Sequence, residues 1–324
     1  MKVWTPDQER IAPLRLTVGM KGFMRLQCWR PDPILSRCRI DTGWFPNKIL
    51  DAGRNQMPQR DDWMTKCQVG TNNTAPLATD TGLLGYVAGT STLQADNWGA
   101  QGSAPYYGWR QKTFRFGVGA GHGAQNLKEA GVGWATSGAA LVSRALIVDP
   151  FTQLPTVVTP LVDEILDVSY LLRYYPPLVD VSQSVTLNGL NYDALTRAAE
   201  VTNSTAWGSY IGRQLGEVSL FSSDWSAFDG NIGTLTQSPS GLSAACDHAN
   251  AFNEAYSNNS YQLSMQCNTG STGWNLAAGI RSLRMKCTAG YYQTQFNRNP
   301  GSQTVPKDIN FTMDMAWTLA WVEA

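Results

Sequence analysis

Apolar and polar residues alternate with a period of two through much of this chain. The clearest run sets Leu166, Val168, Tyr170, Leu172 and Tyr174 against Asp167, Ser169, Leu171 and Arg173. That alternation predicts a strand with one face on a core. Pro176-Pro177 ends it, because proline donates nothing to a strand ladder. Upstream, Leu141 to Val148 is apolar on both faces except for Ser143 and Arg144. This suits a strand covered on both sides, a pattern that a short buried helix shares, and Ile147-Val148 with the Asp149-Pro150 break favours the strand. Leu14, Leu16 and Val18 predict a first strand, Gly19 to Gly22 a turn, and Phe23 to Trp29 a second strand. Further strands are predicted at 37–41, 114–118 and 180–187, the last followed by the hairpin signal Asn188-Gly189. The chain closes on its longest alternation: Ile309, Phe311, Met313, Met315, Trp317, Leu319 and Trp321. Seven apolar residues on one face need a sheet or a subunit interface to cover them, and an assembly strand is the expectation here.

Short helices are expected at 47–57, capped by Asn47 or Asp51, at 80–88 and at 193–200. Residues 68–84, rich in Thr, Asn, Pro and Gly, read as a long ordered loop. The fold class is therefore mainly β, with β-sandwich or jelly-roll-like domains and a few short helices. The composition shifts toward Ser, Asn, Gly and Thr near residue 200. The expected organisation is an N-terminal arm (1–12), a β-rich assembly core (13–190) and a second, outward or interface-forming β-rich domain (191–324).

Composition narrows the function. With 25 basic and 25 acidic residues the formal charge is zero. No basic stripe marks a nucleic-acid surface. No apolar run is long enough for a membrane-spanning helix, and the first residues lack the apolar core of a signal peptide. Synthesis and folding in a cytoplasm are expected. Charged residues make up only 15% of the 324, below the roughly 25% typical of soluble domains. Such a surface suits a protein covered by its neighbours, and it equally suits a turn-rich β protein.

Reactive chemistry is sparse. The six cysteines show no CxxC pair, although Cys28 and Cys38 could face each other across a hairpin. Cys246, Asp247 and His248 with Cys267 and Cys287 lack the tight ligand pair of a zinc site, so no metal and no cofactor are expected. Gly117 to Gly123, with His122 inside it, has no helix directly after it and reads as a turn rather than a phosphate cradle. Asp61-Asp62, Asp163-Glu164, Asp224, Asp229 and Asp247 could supply the facing carboxyls that sugar cleavage needs, but nothing selects a pair. No catalytic residue is assigned. The aromatics are better candidates. Trp207, Trp225, Trp274, Tyr291 and Tyr292 lie in polar, glycine-rich surroundings, where they could stack on a glycan, anchor an interface or plug a thin core.

Four segments together carry a resemblance. They are DTGWFPN (41–47) with ILDAG (49–53); CQVGTNNTAP (67–76) with TDT (79–81); GVGWA (131–135) leading to LVSRAL (141–146); and DEILDV (163–168) leading to YYPP (174–177). Over roughly residues 12–190 the chain resembles structural proteins of tailed-bacteriophage particles, of the tail, tail-fibre or appendage type. Asn72 and Arg54 stand where such proteins often carry Gly and Leu. The resemblance implies a non-enzymatic virion component, made and assembled in the host cytoplasm. Its partners would be copies of itself, in a ring or trimer, and other phage virion proteins. One alternative is a receptor- or glycan-binding fibre or spike that uses the aromatics after residue 200 on a host surface. Another is an enzyme that degrades host polysaccharide.

Overall fold

The structure, a computed structural model, describes residues 14–31, 37–149, 151–187, 190–217, 225–245, 252–253, 256–269, 274–298, 304–307 and 313–324. The first part of the chain forms β1 (Leu14–Arg30), β2 (Arg37–Asp41), β3 (Phe45–Pro46), β4 (Lys48–Ile49), α1 (Asp51–Gln56) and β5 (Lys66–Gly70). Next come β6 (Tyr86–Thr90), β7 (Leu93–Ala100), β8 (Gly108–Phe116), β9 (Glu129–Gly133), β10 (Leu141–Leu146) and β11 (Ile165–Tyr175). The middle holds β12 (Val181–Leu187), β13 (Leu190–Ala199), α2 (Ser204–Trp207), β14 (Ser226–Phe228) and β15 (Ser243–Ala245). The chain ends with β16 (Phe252–Asn253), β17 (Gln262–Thr269), β18 (Ser282–Cys287), β19 (Gly290–Arg298) and β20 (Met313–Glu323).

These strands make three sheets. The large one has the order β16-β17-β20-β1-β11-β8-β7, with β2 and β3 also paired to β1. The second is β4-β10-β9-β5-β6, and the third is β12-β13-β19-β18-β14-β15. Directly opposed residues share a face. Met24 lies opposite Tyr170 and Leu14 opposite Trp317, so these four side chains point the same way. Trp317 meets the third sheet through Thr294 (3.4 Å) and the edge of Trp225 (5.1 Å between centroids). At the other end of β20, Glu323 pairs with Lys48 of the second sheet. A single buried apolar cluster runs through all three sheets. The architecture is sandwich-like and mainly β, as the alternation predicts.

β1 is one strand of 17 residues, not two strands joined by a turn. β11 lines one of its edges over 19–29, while β20, β3 and β2 occupy the rest of its pairing. Gly22 serves close approach here. A Cβ there would sit 2.1 Å from the Asn47 side chain, so only glycine admits that neighbour.

Three helix expectations meet different outcomes. The first survives as α1, with Leu50 rather than Asn47 or Asp51 at its N-cap. Residues 80–85 are turns that lead into β6. Residues 193–199 belong to β13, where Tyr192, Ala194, Thr196 and Ala198 are buried on one face. Their helix-forming composition is overridden by strand pairing on both sides. β12 and β13 pair until Leu187 opposes Leu190, and the Asn188-Gly189 turn itself lies outside the described residues.

The boundary at 190 is not a structural one. β12 lies before it and pairs with β13 after it. β20, from the end of the chain, lies parallel to β1 at its start. The final strand is therefore interior. Met313, Met315, Trp317, Leu319 and Trp321 are buried in the chain's own core, which corrects their reading as an assembly strand. Phe311 lies outside the described residues.

The loop after β5 is held from beneath rather than by its own side chains alone. Glu129 accepts from the amide of Gly85 (2.6 Å) and from Arg144 Nε (2.8 Å). Arg144 also donates to Asp80 (2.7 Å) and to the Thr74 carbonyl (2.8 Å). Glu129 and Arg144 are both fully buried. An ion pair in the sheet thus fixes the loop above it.

Candidate functional site

The aromatics singled out from the sequence are core residues. Trp207 donates to the Ala199 carbonyl (2.9 Å) and packs edge-on against Tyr292. Gly290, at φ +118°, lies under the Trp207 ring, which a Cβ would strike at 2.5 Å. Trp225 donates to the Lys286 carbonyl (2.7 Å). Tyr292 donates to the Ala289 carbonyl (3.0 Å). Trp274 and Tyr291 are buried as well. All five are buried, so none of them presents a face to a ligand.

The other candidates serve structure. Asp61 accepts from the Gln214 amide (2.8 Å), and Asp62 pairs with Arg60. Asp229 accepts from the Leu242 amide (2.8 Å). Asp224, Asp247, Cys246 and His248 lie outside the described residues. Among the described residues no three metal-ligating side chains gather. Cys28 lies opposite Ile40, and Cys38 lies opposite Trp29. The two thiols do not face each other, and both are free. Burial pushes the Cys28 thiol up to about 12, which keeps it protonated and unreactive.

The candidate surface lies elsewhere, at the end of the sandwich where β8 stops and β11 starts. Phe116 and Leu166 are paired there. Two loops, 117–124 and 151–164, cap this end. Val162 lies 2.9 Å from where a Gly123 Cβ would be. Apolar side chains project from both loops. Phe151 is 93% exposed, Val162 70%, Leu154 64% and Val118 54%. Beneath Phe151, a groove of about 400 Å³ runs between 40–43 and 148–158, lined by Ile40, Val148, Val157 and Val158.

These residues are not exposed by slackness. Asp149 Oδ1 accepts from the amides of Phe151 and Thr152, each at 2.9 Å, forming a side-chain-closed turn. Gln153 adopts φ +58°, which is uncommon for a residue with a Cβ. Val158 exchanges amide hydrogen bonds with Leu127. Glu164, fully buried, accepts from Nε and Nη2 of Arg39, each at 2.6 Å, and from the Leu161 amide at 2.8 Å. His122 is buried, 3.1 Å from the Glu164 carbonyl, with Phe116 at its edge. Glu164 is thus the anchor of this loop, while Asp163 pairs with Arg30 at the exposed surface. Sequence reading missed Phe151, Leu154 and Val162. Their signal was available, as apolar residues in a proline-punctuated stretch without strand alternation.

The anchors imply a pH dependence. The hydrogen bonds from Arg39 hold the Glu164 carboxyl below its usual range. Arg25, doubly hydrogen-bonded, brings Asp41 down to about 2. Both carboxyls bind protons less readily in the folded state than in the unfolded one. Their stabilisation is therefore full above the ordinary 4.5 and 3.8 and fades as pH falls through the lowered values. Hydrogen-exchange protection of residues 157–164 is expected to fall on acidification below 4.5, before protection of β11 does. Loss of both together would contradict this.

Compared with family models, curated proteins and solved structures, the chain matches none.

Proposed function

We propose that this chain is a non-enzymatic structural component of a tailed-phage particle. It assembles with copies of itself and with other virion proteins in the host cytoplasm. The observation that carries this reading is the pinned apolar rim of Phe151, Leu154, Val157 and Val162. Ordered loops that hold large apolar side chains in water bear a cost that an interface removes. The scaffold-type segments that resemble virion proteins supply the class. The rim supplies the mode of action, which is burial against a protein neighbour. The low content of charge fits the same use, because few charged groups would need desolvation on assembly.

Sedimentation of the full chain at micromolar concentration tests this. A defined oligomer is expected. A Phe151→Asp, Val162→Asp double variant should weaken it by at least about tenfold, since each buried side chain of this size contributes about 1.5–3 kcal/mol. The variant should keep the unfolding midpoint of the monomer, because neither side chain packs in the core. A monomeric parent chain, or a variant that assembles unchanged, would overturn the assignment.

A further inference from the structure

We infer that the outer face of the large sheet, where Lys21 lies beside Arg173, binds the phosphate group of a small organic phosphate monoester. Alternate residues of a strand point to opposite faces. Met24, Tyr170 and Trp317 turn into the core shared with the other two sheets, so Lys21, Phe23, Arg173 and Tyr175 turn away from it. Lys21 and Arg173 are directly opposed across β1 and β11, and Trp109 of β8 is opposed to Arg173 on its other side. The site lies toward the Tyr175 end of β11, whereas the apolar rim lies at the Ile165 end. The two share no residue, and the inference stands independently of the assembly reading.

Both positive charges are held in place and neither is neutralised. Arg173 Cζ lies 4.8 Å from the centroid of the Phe23 ring and 4.5 Å from that of Tyr107, so two aromatic rings fix the guanidinium. Lys21 Nζ lies over the same Phe23 ring at 5.9 Å. Lys21 is exposed and Arg173 half-buried. Of the Arg173 donors only Nε is closed off from solvent, and both Nη groups reach it. Among the described residues nothing accepts a hydrogen bond from either Nη or from the Lys21 ammonium, and no acidic side chain pairs with them. The acids further along this face, Asp41 and Asp167, are occupied by Arg25 and Arg115. Like charges set directly opposite each other destabilise a sheet, and an anion between them removes that cost.

This combination selects a ligand class. Every free group here donates and none is acidic, so the ligand must supply acceptors and negative charge. Two unpaired cations match a dianion. A phosphate monoester carries about −1.5 to −2 at neutral pH on three acceptor oxygens, whereas a carboxylate or a sulfate ester carries a single charge. The Arg173 fork suits two of the oxygens, and the ammonium suits the third as a point charge. Beside the cations, the rings of Tyr107 and Tyr175 stand 5.6 Å apart between centroids. The Trp109 indole lies over Gly99, where a Cβ would meet it at 2.8 Å. These half-buried rings give apolar surface to the organic group that carries the phosphate, and a bare phosphate ion gains nothing from them.

The test is titration of the full chain with phenyl phosphate, with inorganic phosphate, phenyl sulfate and benzyl alcohol as comparisons. Calorimetry and saturation-transfer NMR report binding. Phenyl phosphate is expected to bind more tightly than each of the other three. Arg173→Gln removes the fork and its charge, so it should weaken phenyl phosphate by about tenfold or more, as loss of a charge-assisted hydrogen bond does. Lys21→Gln should weaken it too. Because Lys21 is exposed and bonded to nothing, this variant carries the test if Arg173→Gln fails to fold. No binding of phenyl phosphate at millimolar concentration would overturn the inference. So would equal affinity for phenyl sulfate or inorganic phosphate, or affinity unchanged in the folded variants. Sedimentation of the same samples reads assembly separately, so failure of one reading leaves the other to stand or fall on its own data.

Discussion

Arg144→Ala is expected to destabilise the fold by about 3–5 kcal/mol, the usual cost of leaving a buried charge without its partner. Arg144 is fully buried, and four interactions end on its network: Glu129, Asp80, the Thr74 carbonyl and, through Glu129, the Gly85 amide. Removing the guanidinium strands Glu129 in the sheet interior and frees the Thr74 carbonyl and Asp80 above it. Denaturant unfolding measures the loss as a lower midpoint. A double variant, Glu129→Gln with Arg144→Met, removes both charges and should recover much of the difference. A neutral amide can still accept from Gly85, and methionine fills the space of the arginine stem. A single variant within about 1 kcal/mol of the parent would show that the loop finds other anchors.

A chain that ends at residue 190 is expected not to fold. It keeps β1 but loses β20, which pairs with residues 14–20. Leu14, Leu16 and Val18 are each at most 1% exposed in the full chain, and they would lose both their strand partner and the third sheet above them. Uncovering a large apolar side chain costs about 1.5–3 kcal/mol, so several together exceed a domain's net stability of about 5–15 kcal/mol. Near-ultraviolet circular dichroism of the fragment should lack fixed aromatic signals. Trp317→Ala in the full chain probes the same contact, with an expected loss of about 3–5 kcal/mol. Signals from both ends of the chain should then shift together in one transition. A fragment with native-like dispersion and cooperative unfolding would restore the boundary at 190.

The proposed assembly would bury a rim that no alternation marks. Phe151 and Val162 sit in loops, and loops carry no period. Their exposure becomes visible only once Asp149, Arg39 and Glu164 are seen to hold the backbone.

Where one face of a segment is buried and the other is wet, the sequence was sufficient. The strands at 165–175, 181–187 and 313–323 follow directly from alternation, because burial on one side of a pleat imposes period two on side-chain polarity; the strand at 37–41 alternates too, although nearly all of it is exposed. The mainly β class follows with them. Alternation is silent about partners. It could not say that the last strand lies beside the first, since parallel pairing across some three hundred residues leaves no local trace. It could not distinguish an aromatic folded inward from one held out, so Trp207, Trp225 and Tyr292 stood open between a binding surface and a thin core, and the assembled sheets make them core. Gly19 and Gly22 looked like a turn and are instead places where another chain segment comes close. Each of these outcomes was decided by what covers a residue, and only the assembled sheets determine that.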